Sequence, residues 1–263
     1  MKYIILIIMP IVLLAQVHYA KAEPFDRVTL KAAVSGEVVD ANLSAEGHEV
    51  HGGRIVHIDD EIDKVNLSNS QKSLTLLKEM LEINQESAKS LKESMERLRA
   101  AYMRIKGLST ASKSQKDSAY NTYASAKTQY FATREKIVSL KKQMLDMEYK
   151  IAQLKDVISK KSIRLDGSYL YALLVRKGDF VAPGTPLAKV DDLSRAKLVL
   201  YLEPEEIVNI ENKTIYLDGK ETPYKIDKLW KVADEKYISS YRAEIYLPKS
   251  PELFSRLIKV EIK

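Results

Sequence analysis

The sequence predicts an α+β fold of elongated outline: an antiparallel α-helical hairpin inserted in a split β-sandwich, followed by a small β-barrel. Three observations carry this. A glycine-marked motif occurs twice, the stretch 61–162 between the copies holds heptads and no proline, and the carboxy-terminal region breaks into short strand-like runs.

Gly36, Gly47, Val50 and Gly53 recur as Gly167, Gly178, Val181 and Gly184, each 131 positions later. Six of the nine glycines therefore share one register. Each copy closes on a related tetrapeptide, His57-Ile58-Asp59-Asp60 and Lys189-Val190-Asp191-Asp192, the second after one extra residue near Pro186. β-branched and aromatic residues collect around these glycines at 28–34, 38–43 and 55–58, then at 169–175 and 187–190, as they do in strands. Glycine between such runs fits tight turns of positive φ. Neither half can fold alone, because two or three isolated strands are marginal in water. The halves must pack on each other, so the ends of the insertion between them must meet.

Within the insertion, Leu67, Leu74, Leu81, Ala88, Met95 and Tyr102 fall at heptad position a, with Ser70, Leu77, Asn84, Leu91, Leu98 and Ile105 at d. A second run places Tyr123, Tyr130, Ile137, Met144, Ile151 and Ile158 at a, and Ala126, Thr133, Leu140, Met147, Leu154 and Lys161 at d. Sustained apolar heptads with charged residues elsewhere predict a coiled-coil seam with a solvated outer face. The Tyr and Met residues of the stripe are seam packing rather than a ligand box. The pattern lapses at 106–114, where Gly107 and hydroxyl residues mark the turn, and Ser114 with Asp117 reads as a cap opening the second helix. Two helices of ~45 residues give a reach of roughly 65–70 Å.

Beyond Asp192, strands are expected at 193–202, 214–217, 224–230, 242–247 and 257–262, with Glu203-Pro204-Glu205-Glu206 a helical turn and Asp218-Gly219 a strand reversal. A small β-barrel is the economical arrangement of so many short strands.

The amino terminus sets the compartment. Lys2 precedes an apolar run at 4–15, and Ala20-Lys21-Ala22 supplies a small-x-small site, so 1–22 reads as a secretory signal peptide cut after Ala22. The run is short of the ~20 residues a spanning helix needs and is broken by Pro10. Retention as an inner-membrane anchor is the alternative. The chain has no cysteine, which excludes disulfides, thiol catalysis and cysteine-held zinc. Its net charge of +6 comes from 42 basic and 36 acidic residues interspersed along the chain, a poor match to the concentrated basic face nucleic acids require.

Signal peptide, glycine-turn half-motif, long hairpin, second half-motif and barrel, in that order, resemble the periplasmic adaptor, or membrane fusion protein, family of HlyD type. The most specific stretches are Val34-Ser35-Gly36-Glu37-Val38, Glu46-Gly47-His48-Glu49-Val50, the run from Arg176 through Gly178 and Gly184 to Leu187, and Asp191-Asp192-Leu193-Ser194. The resemblance implies a lipoyl-like β-sandwich (barrel-sandwich hybrid) with halves at 23–60 and 163–193, an arm at 61–162, and a β-barrel at 194–263. It further implies a non-enzymatic periplasmic protein without cofactor. Such a protein assembles as a homo-oligomeric ring between an inner-membrane transporter of ABC or RND type and a TolC-like outer-membrane channel for efflux or secretion. Docking on such a channel uses an Arg, a Leu four later and a Ser seven after that in the hairpin tip. Here Arg104 and Leu108 have that interval, position 115 is Gln, and Ser114 stands one residue short. The membrane-proximal domain of larger relatives is expected to be absent, since only 23–27 precede the first expected strand.

Other residues offer candidates for chemistry. His48 and His51, with Glu46 or Glu49, offer an incomplete metal-ligand set, and His57 lies close in sequence. Lys64 stands near where lipoyl and biotinyl carriers place a modified lysine, but at a helix start rather than a turn. No Ser-His-Asp order, phosphate-binding glycine loop or His-Glu-x-x-His occurs. Two rival readings remain, an exported coiled-coil envelope scaffold and a periplasmic metal-binding accessory protein built on His48 and His51.

Overall fold

A computed structural model describes residues 16–233, 237, 239–249, 254 and 256–263. The apolar run at 4–15 lies outside the described residues. In chain order the first elements are β1 (Val17–Lys31), β2 (Gly36–Ala41), β3 (His48–Val50), β4 (Gly53–Ile58), α1 (Glu61–Gly107) and α2 (Lys113–Lys160). Then come β5 (Ser162–Leu165), β6 (Ser168–Leu173), β7 (Phe180–Val181), β8 (Pro186–Leu202), β9 (Ile215–Leu217), β10 (Lys220–Thr222), β11 (Lys228–Ala233), β12 (Tyr241–Pro248) and β13 (Leu257–Ile262). The chain divides into two compact units, one from Met1–Ala32, Val38–Val56 and Arg164–Lys263, the other from Ala33–Glu37 with His57–Ile163.

In the first unit, the two long strands β1 and β8 run antiparallel from Ala22 opposite Leu198 to Lys31 opposite Pro186, with irregularities after Pro24 and after Leu30. The strand order is β10-β9-β13-β1-β8-β12-β11, with β6 also on β8 and β3 on β6. Alternation decides which face is dry: Ala196, Leu198, Leu200 and Leu202 of β8 are buried while the residues between them are only half covered. They join Ala20, Ala22, Ile210, Ile215, Ala243, Ile245, Leu247, Ile258, Val260 and Ile262 in one core. Asp218 and Gly219 both take positive φ, as a two-residue reversal between β9 and β10 requires.

The two glycine motifs pair as the repeat requires. His48, Glu49 and Val50 lie opposite Leu170, Tyr169 and Ser168. The Gly47 amide donates to Leu170 O and the Gly178 amide to Val38 O, both at 2.8 Å, so equivalent glycines of the two copies each reach into the other copy. Gly47 and Gly178 have φ of +78° and +93°, where a side chain is strained. Ala32 and Thr185, and Val38 and Asp179, add further backbone bonds of 2.8 Å between the copies.

Several expectations need correction at their edges. The first strand begins at Val17, not near 28, and its opening residues Ala20 and Ala22 are core residues. β8 runs unbroken from Pro186 to Leu202, so the strands expected at 187–190 and 193–202 are one. The strand expected at 224–230 is instead Lys228–Ala233, and short strands β3, β5, β7 and β10 escape sequence patterning because two to four residues hold too little alternation to read.

In the second unit, α1 and α2 are 47 and 48 residues long, about 70 Å each at 1.5 Å per residue. Every a and d residue named above is buried or half-buried. Ser70 and Ala88 of α1 and Ala126, Ile137, Leu140 and Ile151 of α2 are the fully buried ones. Acidic Glu61 and Asp63 open α1 and basic Arg104 and Lys106 close it, each sign complementing the helix dipole.

Candidate docking site at the hairpin tip

The tip is built by two helix ends and a five-residue link, 108–112. Near it, Tyr102 packs on Tyr120 and Tyr123 with ring centroids 5.4 and 6.3 Å apart, clamping the helices together. Leu108 caps α1, its amide donating to Ile105 O at 3.2 Å, and its side chain is 53% exposed. Ser112, rather than Ser114, is the amino-terminal cap of α2. The Gln115 amide donates to Ser112 Oγ at 3.2 Å and the Ser112 amide to Gln115 Oε1 at 2.9 Å, a complete capping box.

Arg104 sits one turn before Leu108 and Ser114 in the first turn of α2; all three are exposed. The described residues near the tip thus include an exposed cation, an exposed apolar side chain and an exposed hydroxyl. The Gln at 115 is explained locally, since its side chain is committed to the cap.

At the opposite end, the feet of the hairpin are fastened. Ile58 N–H donates to Lys161 O and Asp59 N–H to Glu37 O, both at 2.8 Å. Lys161 Nζ donates to Asp59 O at 2.6 Å and also pairs with Asp63. The buried Asp60 carboxylate accepts from Lys64 Nζ at 2.9 Å and faces His57 Nε2 at 3.3 Å. Lys64 is thus an ion-paired helix residue.

Of the residues that could hold a metal, His48, Glu46 and Glu49 are engaged elsewhere. His48 Nδ1 is 3.0 Å from Glu46 O, the Glu46 carboxylate accepts the Leu173 amide at 2.6 Å, and Glu49 pairs with Lys249 at 2.9 Å. That pairing holds the Glu49 carboxyl below its ordinary range. Among the described residues no three His, Asp or Glu side chains converge to hold a metal ion. A cavity of about 650 Å³ in the first unit is lined by Arg27, His48, Tyr169, Tyr171, Asp191 and Lys197, among others. Arg27 forks onto Asp191 with bonds of 2.7 and 2.9 Å, a bidentate pair that raises the guanidinium further above its ordinary value. Sequence reasoning missed this pair, because its partners lie 164 positions apart.

No protein-family model matches the chain, and no curated sequence matches it. Solved structures do. MacA from Actinobacillus actinomycetemcomitans superposes with a TM-score of 0.64 at 18% identity, over 94% of this chain and 78% of that one. A MacA-MexA chimera containing the Pseudomonas aeruginosa MexA alpha-hairpin domain gives 0.57 at 17% identity, over 94% and 78%. The membrane fusion protein Spr0693 from Streptococcus pneumoniae R6 gives 0.54 at 9% identity, over 95% and 98%. Among the described residues no helix is long and apolar enough to cross a membrane. With its halves paired, its hairpin closed at the base and its strands in this order, the chain has the fold found in MacA and in the membrane fusion protein Spr0693.

Proposed function

We propose that this chain is a non-enzymatic periplasmic adaptor. It links an inner-membrane transporter of ABC or RND type to a TolC-like outer-membrane channel for efflux or secretion. In this reading 23–60 and 163–193 are halves of one lipoyl-like domain, 61–162 is the arm and 194–263 the barrel. The observation that carries it is the fastened hairpin: two distant stretches pair and the feet of two ~70 Å helices close at Ile58 and Lys161, leaving the tip to make contacts. Arg104, Leu108 and Ser114 form the docking surface at that tip.

The arms of several copies lie side by side as a ring. A two-helix seam buries only one stripe of each helix, and both outer faces keep apolar residues in heptad phase: Leu76 and Ile83 on α1, and Phe131, Val138 and Leu145 on α2, all more than half exposed. Ile83 is surrounded by Glu79, Glu82 and Glu86. The helical neighbours of Val138, three and four residues away, are Arg134, Glu135, Lys141 and Lys142. An acid-rimmed apolar stripe on one helix and a mainly base-rimmed one on the other are complementary, and two different faces meeting head to tail close into rings.

The test is Leu108→Asp. Helicity and melting temperature are expected to stay as they are, because an exposed tip residue contributes within about 0.5 kcal/mol. Export of the substrate and capture of the outer-membrane channel are expected to be lost. Normal export by this variant removes the tip from the docking role.

A further inference from the structure

Residues 17–22 carry the small-x-small sequence of the leader, yet they form the first part of β1, which stands between β13 and β8 in the sheet. We propose that the chain is not processed at Ala20-Lys21-Ala22, and that residues 17–22 remain in the working protein as the strand that joins the two sides of its barrel.

Cleavage of a leader precedes folding, so what matters is what each product can fold into. Every β1 to β13 pair lies within the first five strand residues, from Val17 opposite Glu261 to Lys21 opposite Leu257. A chain beginning at Glu23 loses all five. It keeps β1 pairs with β8 only from Glu23 opposite Lys197 onward. The ribbon β10-β9-β13 would then have no strand connecting it to β8-β12-β11. A continuous sheet would become two pieces, each with a bare row of backbone donors and acceptors beside an apolar face.

The side chains agree with the backbone. Ala20 and Ala22 are 2% and 1% exposed, in the same cluster as Leu198, Leu200, Ile258 and Val260. The Ala22 amide donates to Arg256 O at 3.0 Å. His18 Nε2 lies 2.6 Å from Glu206 Oε1, and both side chains are largely covered. Removing His18 leaves that carboxylate oxygen without this partner. The small residues that look like a peptidase signature are small here because they pack against β8 and β13.

Intact mass and amino-terminal sequencing of the full chain, expressed in a Gram-negative host and purified from its envelope, test this. A first residue at or before Val17 is the expected result, and any later start, at Lys21 or Glu23 above all, overturns the proposal. A second measurement covers the possibility that the host misprocesses the chain. Two versions are exported behind an unrelated, fully cleaved leader, one beginning at Gln16 and one at Glu23. The Glu23 version is expected to lose its cooperative barrel melt and to be digested by protease roughly tenfold faster or more. Equal melting and equal digestion overturn the assignment.

Discussion

At Gly36 an added Cβ would stand 2.5 Å from Ile58 Cγ2. Ile58 is fully buried and branched at Cβ, so it has no free rotamer to retreat into. Gly36→Ala is expected to cost about 1–3 kcal/mol, seen as a lower denaturation midpoint; an unchanged midpoint would mean that Ile58 yields. A second single-residue effect concerns Glu261, whose carboxylate meets Lys259 Nζ at 2.6 Å and also Lys263. These ammonium groups hold its pKa down to about 2 from an ordinary 4.5. Because folding lowers this pKa, the contribution to stability is complete above about pH 4.5 and is lost as pH falls through 2. Carbon-detected titration of Glu261 should show a midpoint near 2 that rises in Lys263→Ala; a midpoint near 4.5 in the parent would refute the pairing. At the tip, Arg104, Leu108 and Ser114, which the family resemblance names, are all exposed. The cap was read two residues late, because Ser112 with Gln115 and Ser114 with Asp117 both fit a hydroxyl followed three later by a polar side chain, and only geometry chooses between them.

Seam and outer face differ by only two positions on α2, yet their energetics differ widely. Leu140 is 3% exposed and Val138 63%. Leu140→Ala is expected to destabilise the protein by about 2–4 kcal/mol, whereas Val138→Ala should stay within about 0.5. Thermal or chemical denaturation of the two variants checks this, and equal losses would mean that α2 is rotated from the described seam. Val138→Asp adds a test of association: subunit stability unchanged, ring formation weakened in sedimentation. The helices were legible because a seven-residue period repeated over six heptads leaves little room for another phase. The amino-terminal strand was not. Apolar residues, small residues and a lysine near the start satisfy the pattern of a leader and that of a barrel strand equally, and only the partners β13 and β8, more than 150 residues away, distinguish them.

For the whole chain, the pairing of the glycine motifs means that the β-sandwich does not need the arm to bring its halves together. The Ile58 and Lys161 backbones are already hydrogen-bonded neighbours, so the ends of the insertion have the closeness of a hairpin turn. Replacing 60–160 by Asn-Gly is expected to leave a β-rich circular dichroism spectrum and a cooperative melt. A molten product would mean that the helices supply part of the sandwich's stability. The repeat register announced this closure in the sequence, since two incomplete sheets must complete each other. The Arg27 fork on Asp191 was hidden because long-range ion pairs leave no periodic trace.

Fastening at Ile58 and Lys161 also makes length an adjustable quantity. One heptad added to α1 and one at the facing point of α2 would lengthen the pair by about 10.5 Å while every contact at the feet stayed as it is. A heptad added to one leg alone would throw the seam out of step and buckle it. The hairpin thus works like a calliper whose jaw can be reset in fixed increments by changing only the count of repeats.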